Sequence, residues 1–170
     1  MKSVSLTLIS DFNLEPLGRY LGNMPGMEHD AITIAPYGQV YPSLTKLENS
    51  GQWGGLIWTL PEKIIPRFAA AFNLEQVDHR QILMEVESFA DAIIAAGKNR
   101  RIFVASWVLP SNYPGYSLLD WKPGLGLRHL LAEMNLKLAE KFAHSNNIYM
   151  LDTQKWLLNV ANPESPNTGQ

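Results

Sequence analysis

The sequence predicts a three-layer α/β fold, in which helices cover both faces of a five-stranded parallel sheet. Two observations predict this fold. Short apolar segments of strand length alternate along the chain with longer segments of helical periodicity. The strand-like segments are almost continuously apolar, which is typical of parallel strands buried on both faces. A chain of 170 residues has the length of one domain and can bury a full core.

Five apolar segments give the predicted strands, and four of them are followed directly by a polar residue or proline. In order, they are about Ser3–Ile9, Ala31–Ala35, Gly54–Leu60, Arg101–Trp107 and Ile148–Leu151. Parallel neighbours need right-handed crossovers, so this alternation favours a flavodoxin-like, doubly wound arrangement.

Helical periodicity predicts the crossovers. A short helix capped by Asn13 carries Leu14, Leu17 and Leu21 on one face. Further helices are predicted over Tyr41–Glu48, over Val77–Ala96 with Gly97 at its C′ position, over the apolar stripe from Leu127 to Phe142, and over Gln154–Val160. The stretch Glu62–Asn73 is ambiguous because Pro66 interrupts any helix there.

The chain reads as one α/β domain over residues 1–161, followed by a polar tail or linker over residues 162–170. A long loop, about Leu109–Gly126, contains several prolines, glycines and aromatic residues. Loops of this length inside a compact domain are often binding surfaces. Trp107, Tyr113, Tyr116 and Trp121 therefore either form a contact surface or cover the core.

Composition excludes several classes of function. The chain has 14 basic and 16 acidic residues and a formal net charge of −2, so it lacks the excess of cations that binds nucleic acid. It contains no cysteine, which excludes disulfides and thiolate chemistry. The N-terminus lacks the apolar core of a signal peptide, and no apolar run is long enough to span a bilayer. We expect a cytoplasmic protein that binds neither membranes nor nucleic acid.

Three strand ends resemble the SGNH (GDSL-type) hydrolase superfamily. They are Ser10-Asp11-Phe12-Asn13, Ser106-Trp107-Val108-Leu109-Pro110 and Leu151-Asp152-Thr153-Gln154-Lys155. Asn135, on the helix before the last strand, is similar to an asparagine that the family often has there. The resemblance covers about Ser3–Val160 and implies an SGNH-type variant of the predicted fold.

A more specific resemblance is to the SGNH-like N-terminal domain of FkbH-like proteins. It rests on the first turn, on Leu14-Glu15-Pro16-Leu17 and on Ala35-Pro36-Tyr37-Gly38-Gln39. In that family the domain precedes a HAD-type phosphatase/transferase domain, and the whole proteins are associated with loading glyceryl groups onto carrier proteins. The resemblance implies a downstream HAD-type domain or an acyl carrier protein as partner. The HAD motif Asp-x-Asp-x-Thr is absent from this chain.

The chain departs from the hydrolases at both chemical positions. The position of the nucleophilic serine holds Phe12, and the position of the histidine three residues after Asp152 holds Lys155. Phenylalanine has no attacking group, and a protonated lysine is a poor base. The resemblance therefore implies a non-hydrolytic module that binds a substrate or partner. The alternative is a divergent acyl hydrolase or acyltransferase for a small ester or carbohydrate, which uses Ser10 or a water held by Asp152.

The predicted ligand-binding residues lie at the carboxyl ends of the strands, where α/β proteins gather their ligands. They are Ser10, Asp11, Asn13, Tyr37, Gln39, Trp107 and Asp152. Several have an equally simple structural explanation: Asp11 caps a turn, Asn13 and Asp152 cap helices, and Lys155 is a solvated cation. The four histidines His29, His79, His129 and His144 show no metal-ligand spacing, so we predict no metal and no cofactor.

Overall fold

The sheet has the predicted architecture. The computed structural model describes residues 5–25, 31–48, 53–110, 113, 115 and 117–156. Its strands are β1 (Ser5–Ser10), β2 (Ala31–Ile34), β3 (Gly54–Trp58), β4 (Arg101–Ala105) and β5 (Ile148–Leu151). They form one five-stranded sheet in the order β2-β1-β3-β4-β5, and every neighbouring pair is parallel. This order confirms the doubly wound, flavodoxin-like prediction.

The helices follow the strands as crossovers. They are α1 (Glu15–Gly22), α2 (Val40–Glu48), α3 (Pro61–Ile64), α4 (Pro66–Phe72), α5 (His79–Ala96) and α6 (Leu127–Phe142). Residues 153–156 are also helical. The ambiguous stretch Glu62–Asn73 resolves into α3 and α4, because Pro61 and Pro66 each begin a helix. A proline is tolerated at the first helical position, where its missing N–H would have no partner inside the helix.

Side-chain alternation along the strands separates two hydrophobic clusters. Ile9 and Ile57 contribute to the larger cluster, which also contains the buried faces of α2, α5 and α6. Leu8 and Leu56 belong to the smaller cluster, against which Leu17 of α1 packs. Because successive residues of a strand point to opposite faces, the two clusters lie on opposite sides of the sheet. The result is a three-layer domain with the larger core on the α5–α6 side.

Some predicted boundaries are wrong by one or two residues, each for a local reason. The Asp78 side chain accepts a hydrogen bond from the N–H of Arg80, so α5 begins at His79 rather than at Val77. Gly97 is the C-cap of α5, one position before the predicted C′, and has a right-handed φ of −85°. A Cβ atom there would lie 3.2 Å from Ile102 and 3.3 Å from Ile148, so this glycine permits close packing of the helix end.

The predicted tail over residues 162–170, the end of the predicted last helix at Val160, and Tyr116 lie outside the described residues. Within the described ranges, no helix is both long and apolar enough to cross a bilayer.

Gly54 provides a test of the close packing between β3 and β4. A Cβ atom at Gly54 would lie 2.5 Å from the carbonyl oxygen of Arg101, its partner on β4. Because this neighbour is backbone, Gly54→Ala should lower the free energy of unfolding by about 1–3 kcal/mol. Gly22→Ala, with open space at the end of α1, should leave it unchanged or raise it by up to about 1 kcal/mol. Urea denaturation measures both values, and equal effects of the two substitutions would contradict the packing described.

Candidate functional site

The strand order places one crevice at the carboxyl ends of β1 and β3. From β1 the chain continues to β2, at one edge of the sheet, whereas β3, β4 and β5 follow one another toward the other edge. The connections therefore diverge between β1 and β3. Ligands of doubly wound proteins bind at such a switch point. Ser10 and Trp58 end the two strands and are paired in register. The residues that follow them therefore line the crevice.

Asp11 links the two strand ends. Its carboxylate accepts hydrogen bonds from the backbone N–H of Leu60, at 3.2 Å to Oδ1 and 3.1 Å to Oδ2. The residue is only 7% exposed. A buried carboxylate needs such a partner, since an unsatisfied polar group loses its hydration without compensation. Asp11 thus fixes the start of α3 against the end of β1.

The surroundings of Asp11 favour its protonated form. Burial raises the pKa of Asp11 to about 6, and the nearby carboxylate of Glu62 adds to the rise. The hydrogen bond from Leu60 and the positive charge of Lys63 oppose it. Desolvation is the largest of these effects. The carboxyl group can therefore gain or lose a proton close to neutral pH.

An open cleft of about 330 Å³ lies beside Asp11. We call it the Asp11 cleft; it is lined by Asp11, Tyr37, Gly38, Val40, Tyr41, Pro42, Lys63 and Ile64. Tyr37 is 72% exposed, and Tyr41 packs edge-on against Phe89 at 5.9 Å between ring centroids. The cleft offers a carboxyl group, a cation and two phenol rings. This combination can hold a small polar ligand through hydrogen bonds and ring contacts.

The turn after β1 does not present an attacking hydroxyl. Ser10 is 5% exposed, and its Oγ accepts a hydrogen bond from the N–H of Phe12 at 2.9 Å. The Phe12 ring meets Trp58 edge-on at 5.6 Å, and Trp58 meets Trp156 in the same way at 5.7 Å. The position that a nucleophile would occupy is therefore part of an aromatic row that packs across the strand ends.

Asp152 and Asn13 bond to the backbone of the segments that follow them. Oδ1 of Asp152 accepts from the N–H of Lys155 at 3.2 Å, which confirms the helix-capping alternative for Asp152. Oδ1 of Asn13 accepts from the N–H of Glu15 at 2.9 Å. Leu14 occupies the N-cap position of α1, so the predicted cap at Asn13 is wrong by one residue. The hydrogen bond from the Glu15 N–H to the Asn13 side chain spans two residues, as in an Asx turn.

Trp107 lies in the core. It is 3% exposed, stacks on Phe89 at 5.8 Å, and donates from its indole N–H to Oγ1 of Thr59 at 3.0 Å. Asn135 of α6 binds its backbone twice, accepting from the Trp107 N–H at 2.8 Å and donating to its carbonyl at 2.9 Å. For Trp107, core packing is the better explanation of the two that the sequence left open. Trp121, by contrast, is 65% exposed.

The structure thus brings together some of the predicted site residues and separates others. Asp11 and Tyr37 share the Asp11 cleft, and Asn13 and Tyr37 share an adjoining cleft of about 470 Å³. Trp107 lines a different cleft, near the end of β4. Sequence reasoning missed Lys63 and Tyr41. The position of Lys63 shortly after the apolar strand Gly54–Trp58 could have indicated it, but the sequence left the stretch Glu62–Asn73 ambiguous.

The described histidines lie on helices or directly after one. His79 begins α5, His129 is in the first turn of α6 beside Glu133, and His144 follows α6. His29 is outside the described residues. Across the described ranges, no three His, Cys, Asp or Glu side chains converge as a metal site requires.

The fold and the crevice define a doubly wound α/β domain with an open cleft at its β1–β3 switch point. By sequence, the chain matches no protein-family model and no curated protein. By structure, it is similar to the N-terminal part of the protein BF1531 from Bacteroides fragilis, which contains a phosphatase domain and was solved in complex with Mg. The TM-score is 0.69 at 11% identity, and the match covers 96% of this chain and 44% of that one. At this identity the similarity shows the fold.

The pKa of Asp11 predicts a pH dependence of stability. Between about pH 4 and 6 the folded chain keeps a proton that the unfolded chain has lost, since the folded pKa is about 6 and the ordinary value is 3.8. The free energy of unfolding should therefore fall, by about 2 kcal/mol in total, as pH rises through this range.

The matched variant is Asp11→Asn, which keeps an oxygen acceptor for Leu60 but does not titrate. Urea denaturation of both proteins at several pH values between 4 and 7 isolates the contribution of Asp11. The stability of the wild type relative to Asp11→Asn should decrease toward pH 7. If the free energy of unfolding of the wild type minus that of Asp11→Asn stayed constant or increased toward pH 7, this would contradict the burial of the carboxyl group.

Proposed function

We propose that this chain is a non-hydrolytic, SGNH-like accessory domain of an FkbH-like protein, and that it binds a substrate or partner at the Asp11 cleft. The proposal rests mainly on one observation: the Phe12 ring packs on Trp58, where the hydrolases carry their serine. The hydroxyl of Ser10, in the same turn, is buried and accepts a hydrogen bond from the Phe12 N–H. A domain with this turn can bind but has no activated nucleophile.

The structural comparison supports the FkbH-like part of the proposal. The chain spans less than half of the solved N-terminal part of BF1531, and that part contains a phosphatase domain. An accessory domain of this kind would hold a substrate or carrier close to a neighbouring catalytic domain. We therefore propose a downstream HAD-type domain or an acyl carrier protein as its partner.

A divergent acyl hydrolase or acyltransferase is the second candidate. One observation favours it: Asp11 lines an open cleft, and its pKa of about 6 suits a general base near neutral pH. Such an enzyme would use the carboxylate to activate a water or a hydroxyl group. Its rate would rise with pH around the pKa of Asp11.

Hydrolysis of p-nitrophenyl acetate and p-nitrophenyl butyrate separates the two candidates. The accessory domain should release p-nitrophenol no faster than the Ser10→Ala and Asp11→Asn variants at any pH between 5 and 8. The Phe12→Ala variant is the control for the aromatic row, because it opens the turn without adding a nucleophile. Turnover that Phe12→Ala retains and Ser10→Ala abolishes would overturn the proposal. Turnover that rises through about pH 6 and disappears in Asp11→Asn would establish the second candidate.

A further inference from the structure

A second cleft, at the carboxyl end of β4, is distinct from the Asp11 cleft. It has a volume of about 360 Å³. Its walls include Leu109, Pro110, Trp121, Arg128, Leu131 and Gln154. Most of these side chains are apolar, and the guanidinium of Arg128 adds a positive charge to the lining. A cation beside apolar surface is complementary to a ligand that is both anionic and apolar.

Arg128 is held in place from one side. Its Nε donates to the hydroxyl of Tyr113 at 2.7 Å, and that hydroxyl donates to Oδ2 of the buried Asp120 at 2.7 Å. The guanidinium also lies over the Tyr113 ring, 5.3 Å from its centroid. These contacts orient the guanidinium before any ligand arrives, which lowers the entropic cost of binding.

The outer edge of the guanidinium remains available. The Arg128 side chain is 47% exposed, and in the described part of the chain it forms one ion pair, a 3.8 Å contact from Nε to Oδ2 of Asp120. Among the described residues, its two terminal nitrogens bond to no acceptor. Two parallel N–H groups of this kind match the two oxygens of a carboxylate or a phosphate. The neighbouring Trp121 ring, 65% exposed, offers a surface for the apolar part of the ligand.

We propose that this cleft binds a small amphipathic anion, with its carboxylate or phosphate on Arg128 and its apolar part against Trp121 and Leu131. The inference does not depend on the proposed function, because it uses different residues and a different cleft. It predicts that binding requires the negative charge of the ligand. It also predicts that removal of the Arg128 charge weakens binding by about tenfold or more, as expected for a charge-assisted pair.

The test uses hexanoate as the probe and hexanamide as its uncharged equivalent. Two-dimensional ¹H–¹⁵N NMR follows the backbone signals of Trp121 and Leu131 and the indole N–H of Trp121 during each titration. Hexanoate should shift these signals in a saturable way, and hexanamide should bind at least tenfold more weakly. This comparison uses the unmodified chain and does not depend on the folding of any variant.

Two variants then test the cation. Arg128→Gln should weaken hexanoate binding at least tenfold. Arg80→Gln is the matched control, because Arg80 is the second residue of α5 as Arg128 is the second residue of α6; it should bind as the wild type does. Equal affinity for hexanoate and hexanamide, unchanged affinity in Arg128→Gln, or saturable shifts confined to other regions would each overturn the proposal.

Discussion

The bond between Asp11 and the backbone of Leu60 is the constraint around which the candidate site forms. It joins two residues separated by 49 positions in sequence, and it does so where the connections of the sheet diverge. A carboxylate that is nearly enclosed needs a donor, and the N–H of Leu60, two residues after β3, supplies it. The geometry of this bond sets the start of α3, and with it the position of Lys63 in the Asp11 cleft.

The same strand ends carry the proposal that this domain is not hydrolytic. A serine nucleophile needs an exposed hydroxyl and a base within reach. This chain instead places a phenylalanine at the turn and continues the contact through Trp58 to Trp156. Aromatic packing of this kind stabilises the strand ends, and the Phe12 side chain itself has no group that could attack a substrate. A shared fold therefore predicts a shared location for the site, and the side chains decide what the site does.

Local patterns in the sequence predicted most of the fold, and long-range contacts limited what could be predicted of the site. The opposite faces of Leu8 and Ile9 follow from alternation, and α5 follows from its apolar stripe. The prolines at the starts of α3 and α4 obscured two short helices, because the same residue can begin a helix or interrupt one. The partnership of Asp11 with Leu60 and the support of Arg128 by Tyr113 depend on tertiary structure. No spacing in the sequence indicates either contact.

The two clefts differ in the chemistry they offer. The Asp11 cleft combines a titratable carboxyl group with a lysine and phenol rings, whereas the Arg128 cleft combines an oriented cation with apolar walls. The predicted pH dependence of stability and the position of α3 both depend on the burial of Asp11. A ¹³C NMR titration of the Asp11 carboxyl carbon tests this burial directly. A buried carboxyl group should titrate with an apparent pKa of about 6. A value near the ordinary 3.8 would show that the carboxyl group is solvated and would contradict the burial of Asp11.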